Sequence, residues 1–293
     1  MLTHLRTLRP APNILAFYDG RVPGHRFAPG PNWVDDGALS LGIASYVIHD
    51  GDHALIYDTH VSPDHAAHIR ATLSGMGITR FTVVLSHWHL DHVAGTAAFA
   101  DCTVIANTKT AAHLVQQRAA IEAGTDHGLP AINPLIMPTD LFEGRAHIHI
   151  GGLHIDLIEA NIHSDDATVV WMSGPRLLLA GDTMEDCVTY VGEPEHFDIH
   201  LADLDRLAAL RPQQILPNHG DPERIGTGGY GPGLIAATKD YIGFLQRSRT
   251  DASLHDIPLK RVIQPWLDKG NLIWFAPYEA VHTQNIEQVL ALS

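Results

Sequence analysis

Residues 86–95, SHWHLDHVAG, set His87, His89, Asp91 and His92 within six positions, directly after the apolar run 81–85. Imidazole nitrogen and carboxylate oxygen are the ligand atoms that suit a borderline cation such as zinc. Histidines two apart at a strand end, followed at once by an aspartate and another histidine, therefore point to a metal site. One turn of chain cannot complete such a site, so partners must arrive from elsewhere. Three residues qualify because each follows an apolar segment: His163 in EANIHSDDATVV, Asp182 in LLLAGDT and His219 in ILPNHGD. Taken singly, a loop histidine or an aspartate before threonine is an ordinary surface or turn residue. Their shared place after strands, on the same edge as the first motif, draws them into one set.

The elements that must position these residues can be traced along the chain. IASYVIH and HALIYDT flank the turn DGD from residue 43 onward and read as a hairpin. Ser62, Pro63 and Asp64 give a helix cap with proline at the first helical position, and Ala66, Ile69 and Leu73 follow at helical spacing until Gly75 and Gly77. Residues 81–85 then form the strand that delivers the histidine-rich loop. Further strands are expected at 147–150, 153–158, 168–171, 177–180 and 214–216, with a helix over 200–210. After the glycine-rich GTGGYGPG, helices are expected over 234–247 and 277–290. In the first of these, Leu234, Ile235, Tyr241, Ile242 and Leu245 fall on one stripe. These helices either cap the main domain or wall a substrate pocket. Residues 124–145, rich in proline and without periodicity, read as a long loop of the kind that covers sites. Two β-rich halves clothed by helices suggest an α/β class in which two sheets pack face to face with helices outside. Residues 1–225 are expected to form a catalytic domain and 226–293 a helical C-terminal extension packed on it.

Composition narrows the function. A chain of 293 residues with 45% hydrophobic content can bury one large core or two small ones. No apolar stretch approaches the roughly 20 residues of a membrane span, so a soluble protein without a membrane partner is expected. The N-terminus carries Arg6 and Arg9 but no apolar block of about 7–15 residues like that of a secretory signal, which suggests the cytoplasm. Cys102, expected in a strand, and Cys187 read as free thiols, in keeping with a reducing compartment. A net charge of −14 with only four lysines argues against nucleic acid and for a small-molecule substrate. The 21 histidines by themselves say nothing about metal, and the oligomeric state is not readable.

The ordered set His87-x-His89-x-Asp91-His92, His163, Asp182 and His219 resembles the metallo-β-lactamase superfamily over residues 43–221. The resemblance implies an αββα four-layer sandwich with a metal centre between the sheet edges. It implies one cation on His87, His89 and His163, a second on Asp91, His92 and His219, and Asp182 bridging them. Asp91 and Asp182 are then the catalytic carboxylates. Asp58, in IYDT, would support a ligand from behind, a plain strand-end turn being its alternative role. Two divalent ions are implied, zinc first, with manganese or iron as alternatives. Two cations about 3.5–4 Å apart share one water and pull its pKa from about 15.7 towards 7, so hydroxide attacks at neutral pH. No serine or cysteine nucleophile is then required.

The implied activity is hydrolysis of a small ester, lactone or thioester. The alternatives are a mononuclear-iron thiol or persulfide dioxygenase-like oxidoreductase and a β-lactam hydrolase. Lactonases of the superfamily carry a tyrosine three residues after the bridging aspartate, where this chain has Glu185. Tyr190, Tyr230 or Tyr278 are candidates for the missing hydroxyl, with wall packing as their simpler role. Hydroxyacylglutathione hydrolases share the ligand set and add a helical C-terminal part, a place the tail from Leu234 can fill, although basic residues are sparse in it. Antibiotic-cleaving members fit less well, since they are usually exported and often lack the bridging aspartate.

Overall fold

The computed structural model describes residues 2–292. β1 (Arg6–Ala11) and β2 (Ile14–Asp19) form an antiparallel hairpin. Along β2 the side chains alternate: Leu15 and Phe17 enter one buried cluster, and Ile14, Ala16 and Tyr18 another. The two-residue period of a strand makes this possible, and burial on both faces marks an inner layer. The sheet continues through β3 (Ile43–Asp50) and β4 (His53–Tyr57), the expected hairpin. α1 (Pro63–Gly75) follows, its backbone N–H at His65 capped by the Ser62 hydroxyl as the sequence requires. β5 (Arg80–Val84) then lies parallel to β4. After α2 (Leu90–Val93), β6 (Thr103–Asn107), α3 (Thr108–Ala123) and β7 (Asp140–Phe142) complete a seven-stranded sheet in chain order.

The second sheet begins with the meander β8 (Arg145–Ile150), β9 (Leu153–Glu159), β10 (Thr168–Met172) and β11 (Leu177–Gly181). α4 (Phe197–Ala209) crosses over so that β12 (Gln214–Pro217) lies parallel to β11 at the sheet edge. α5 (Pro222–Gly226), α6 (Gly233–Ser248), α7 (Leu259–Asp268) and α8 (Tyr278–Ala291) end the chain.

Four layers result. Ile69 and Leu73 of α1 and Leu114 and Ile121 of α3 cover one face of the first sheet. The other face packs on the second sheet, and three tyrosines cross the seam. Tyr18, Tyr46 and Tyr57 donate to the carbonyls of Gly220, Pro217 and Thr168 at 2.9, 2.6 and 2.5 Å. Buried hydroxyls need such partners, and here the need fixes how the sheets dock. Phe197 and Leu204 of α4 and Ile242 and Leu245 of α6 join the same inter-sheet cluster, so the C-terminal helices share its core. Among the described residues no helix is long and apolar enough to cross a membrane.

The expected αββα sandwich is the observed fold. Three expectations need correction. The helix placed over 200–210 starts at Phe197, whose buried ring anchors its first turn although no side chain caps it. The segment 124–145 is not all loop, because residues 140–142 pair with β6 as the edge strand β7. Cys102 lies in the turn before β6 rather than in a strand.

Candidate metal centre

The loops that follow β5, β9, β11 and β12 open on one edge of the sandwich and carry the seven sequence-predicted residues. Asp58 (φ 67°) after β4 and His163 (φ 72°) after β9 are among the non-glycine residues that hold left-handed backbone. Such conformations cost free energy and persist where surrounding structure enforces them. Gly95 closes the histidine-rich turn against α1, where a Cβ would lie 2.0 Å from the Thr59 carbonyl oxygen.

All seven side chains converge. His87 Nε2 and His163 Nε2 lie 2.9 and 3.0 Å from His89 Nδ1. Asp182 Oδ2 lies 3.0 Å from His92 Nε2, 3.5 Å from His219 Nε2 and 3.7 Å from both His87 Nε2 and His163 Nε2. Asp91 Oδ2 is 3.3 Å from His219 Nε2. Two triads, His87–His89–His163 and Asp91–His92–His219, each offer three ligand atoms within 4.8 Å of one another, and Asp182 stands between them. Nitrogens at the corners of a tetrahedron with arms of roughly 2.0 Å sit about 3.3 Å apart, close to these spacings. Asp182 Oδ1 is buried without a hydrogen-bond partner. A nitrogen and oxygen donor set with an orphaned inner carboxylate oxygen fits a pair of borderline divalent cations.

Groups behind the histidines set which nitrogen faces inward. His219 Nδ1 donates to the Gly42 carbonyl at 2.7 Å and His163 Nδ1 to that of Tyr190 at 3.0 Å. A carbonyl only accepts, so these Nδ1 atoms carry hydrogen and leave Nε2 to face the centre. His92 Nδ1 lies 2.8 Å from Asp58 Oδ2, and His87 Nδ1 lies 2.9 Å from Ser86 Oγ. His89 alone turns Nδ1 inward.

Charge divides the cluster in two. Burial holds His87 and His163 below the usual imidazole range and pushes His89 down to about 3. Burial also opposes charge on His92 and His219, but Asp182 with Asp91 outweighs it and holds both well above that range. Asp182 is kept well below the carboxylate range because His92 and His219 outweigh its own burial. Without cations, the carboxylates and these two imidazoles balance one another.

A cleft of about 780 Å³ opens onto the cluster. Trp33, Trp88 and His127 line it, together with Gln284, Glu287 and Gln288 from α8. Of the three candidate tyrosines only Tyr190 lines the cleft, and Gln288 Nε2 donates to its hydroxyl at 3.1 Å. Tyr230 donates to Asp186 and Tyr278 to Glu185. Glu185 itself lines the cleft floor, and burial pushes its carboxyl up to about 8.

Sequence reasoning missed Asn218, which donates to Asp58 Oδ2 at 2.6 Å. It also missed His113 of α3, which stacks on Trp88 and lies 2.7 Å from Asp165, tying α3 to the His163 loop. No spacing signal marks either residue. Neither cysteine is an activated nucleophile: both are free, and burial pushes Cys102 up to about 11 and Cys187 higher still.

The family model described as Metallo-beta-lactamase superfamily matches residues 40–219, more than half of the chain. The protein belongs to this superfamily, most of whose members are metal-dependent hydrolases. Within it, the chain is 25% identical over 193 residues to the Beta-lactamase-like protein 2 homolog of Drosophila melanogaster, covering 63% of this chain and 61% of that protein. It is 28% identical over 171 residues to a Hydroxyacylglutathione hydrolase of Albidiferax ferrireducens, covering 56% of each. The chain thus spans less than two thirds of the length of these relatives. Among solved structures, the DIM-1 metallo-beta-lactamase superposes with a TM-score of 0.60 at 20% identity, covering 82% of this chain and 97% of that one. A Metallo-beta-lactamase from Pontibacter korlensis gives 0.62 at 14% identity, covering 82% and 99%. These likenesses concern the fold.

Proposed function

We propose that the protein is a dinuclear metal-dependent hydrolase of a small thioester, ester or lactone. The observation that carries this reading is the pair of triads meeting at Asp182, with His87, His92, His163 and His219 each turned by a partner behind the ring. Residues His87, His89 and His163 would hold one cation and Asp91, His92 and His219 the other, with Asp182 between. When bound, such cations lower the pKa of water and polarise a carbonyl oxygen. Zinc suits the nitrogen-rich donor set, with manganese or iron as alternatives.

The chain's own groups supply the rest. Asp91 is the carboxylate of the cluster more open to the cleft, 18% exposed against 5% for Asp182. Its position suits it to accept the proton of the attacking water and pass it to the leaving group. The Trp33 and Trp88 indoles shield the cleft, which strengthens the electrostatics inside. The Hydroxyacylglutathione hydrolase relative supports a thioester as substrate.

A single-iron oxygenase is the second reading, and the intact Asp91–His92–His219 triad weighs against it. The decisive experiment assays lactones, thioesters, aryl esters, phosphodiesters and β-lactams with protein of measured metal content. Two divalent ions per chain and turnover of a thioester, ester or lactone are expected. One iron per chain with oxygen consumption, or turnover confined to β-lactams, overturns the proposal.

A further inference from the structure

The walls of the cleft carry a charge pattern that the ligand cluster does not explain. Among the described residues that line it there is no lysine or arginine. Carboxylates stand at its exposed rim instead, Asp36 on the segment before β3 and Glu287 on α8. Asp36 is shared with Arg26 at 3.2 Å, whereas Glu287 has no ion-pair partner within 4 Å among the described residues. Gln284 and Gln288 place amides beside Glu287, and Trp33 and Trp88 add indole surface. The net charge of −14 gives the whole chain a field of the same sign as this rim.

A substrate has two parts here, the scissile carbonyl and the arm that leaves with the sulfur or oxygen. Two divalent cations bring four positive charges to the cluster, of which Asp91 and Asp182 offset two, and this charge concerns the carbonyl. An arm that extends out of the cluster along the cleft passes the rim. A carboxylate on the arm meets no lysine or arginine among the described lining residues, only the imidazole of His127 outside the cluster, and is repelled by Glu287, while an amide finds the glutamines and an ammonium finds carboxylate and indole. Discrimination of this kind arises from repulsion of the wrong partner as much as from attraction of the right one.

We propose that the cleft selects substrates whose leaving arm is uncharged or cationic and rejects arms bearing carboxylates. This rests on the hydrolase reading of the site. It sets the protein apart from enzymes built for glutathione thioesters, whose leaving arm carries two carboxylates and one ammonium and is anionic overall.

The test uses three hexanoyl thioesters with one acyl group and different arms: N-acetylcysteamine (neutral), thiocholine (cationic) and 3-mercaptopropionate (anionic). With the zinc-loaded full chain, kcat/KM for the anionic arm should fall at least tenfold below the other two at low salt, the gap narrowing as salt screens it. Glu287→Lys should raise kcat/KM for the anionic substrate threefold or more relative to that for the neutral one. The matching S-hexyl thioethers, titrated calorimetrically, give a readout without turnover, and their Kd values should follow the same order. Equal or tighter binding of the anionic thioether, or no discrimination among the three, overturns the proposal. If the thioethers keep the expected order and no thioester is cleaved, the charge preference stands and the hydrolase reading falls.

Discussion

Asp58 Oδ2 lies 2.8 Å from His92 Nδ1 and accepts the Asn218 amide at 2.6 Å, while Asp58 Oδ1 accepts the Ser86 backbone N–H at 2.7 Å. One buried carboxylate thus fixes the ring of His92 and the first residue of the histidine-rich loop. Groups behind metal ligands typically contribute 10–100-fold to affinity or activity. Asp58→Ala should weaken zinc binding by about that factor in a chelator competition, with far-UV circular dichroism unchanged. Unaltered affinity would return Asp58 to the role of a turn residue.

His89→Ala and Asp182→Ala test the two halves of the cluster. Because His89 belongs to one triad and Asp182 faces both, the first should lower the metal content by about one equivalent and the second by about two. Activity should fall with the metal in each case. A variant without metal that still turned over substrate would sink the mechanism.

Loading with metal should release protons. Asp182 and Asp91 favour the protonated forms of His92 and His219, against the effect of burial. Their Nε2 protons occupy the side that faces the cluster, so a cation must displace them, releasing about two protons per chain at pH 7. Affinity should accordingly fall as pH falls. An indicator dye in weak buffer reads the release directly, and His219→Ala should reduce the count by about one. Loading without proton release contradicts this charge assignment.

Chelation should cost stability as well as activity. A ligand bound only by the folded chain stabilises it by about 2.7 kcal/mol at a hundredfold excess over Kd. Treatment with a chelator should therefore lower Tm, and zinc should restore it. A Tm indifferent to metal removal is the contrary result.

His200, which is not one of the seven ligands, sets a further acid limit behind the His163 loop. Its ring is buried on α4, Nε2 lies 3.1 Å from Asn161 Oδ1, and burial pushes its pKa down to about 4 from an ordinary 6.5. The native state binds this proton less readily than the unfolded chain. Stability from this group is therefore complete above about pH 6.5 and is lost as pH falls towards 4, by up to about 3 kcal/mol. His200→Gln should flatten the urea midpoint over that window relative to the parent. Parallel curves for parent and variant would show that the group does not titrate there.

The motif 86–95, the Ser62 cap and the strands of the second sheet were legible because each has a local signature that packing does not overrule. Six of the seven candidate ligands were legible for a different reason: the runs that precede them are short and mostly apolar, so their ends are marked, whereas His163 follows the mixed strand β9 and was legible only as a member of the set. α3 was not readable, since it buries only Thr110, Leu114 and Ile121 and exposes Val115, which blurs the helical stripe. The first hairpin was hidden by Pro10, tolerated in β1 because that strand is the sheet edge and its pairing shifts register beside the proline. Trp33 and the amides of α8 reach the cleft only through tertiary packing, which no spacing announces.

Gln284, Glu287 and Gln288 belong to the final helix, far downstream of the last ligand, His219. Part of the proposed recognition surface is therefore written in a separate stretch of the gene, although Trp88 lies between two of the ligands. Substitution at the cleft-facing positions of that helix can change which molecules are admitted, while its buried face, with Tyr278, Ile286 and Val289, stays fixed in the core.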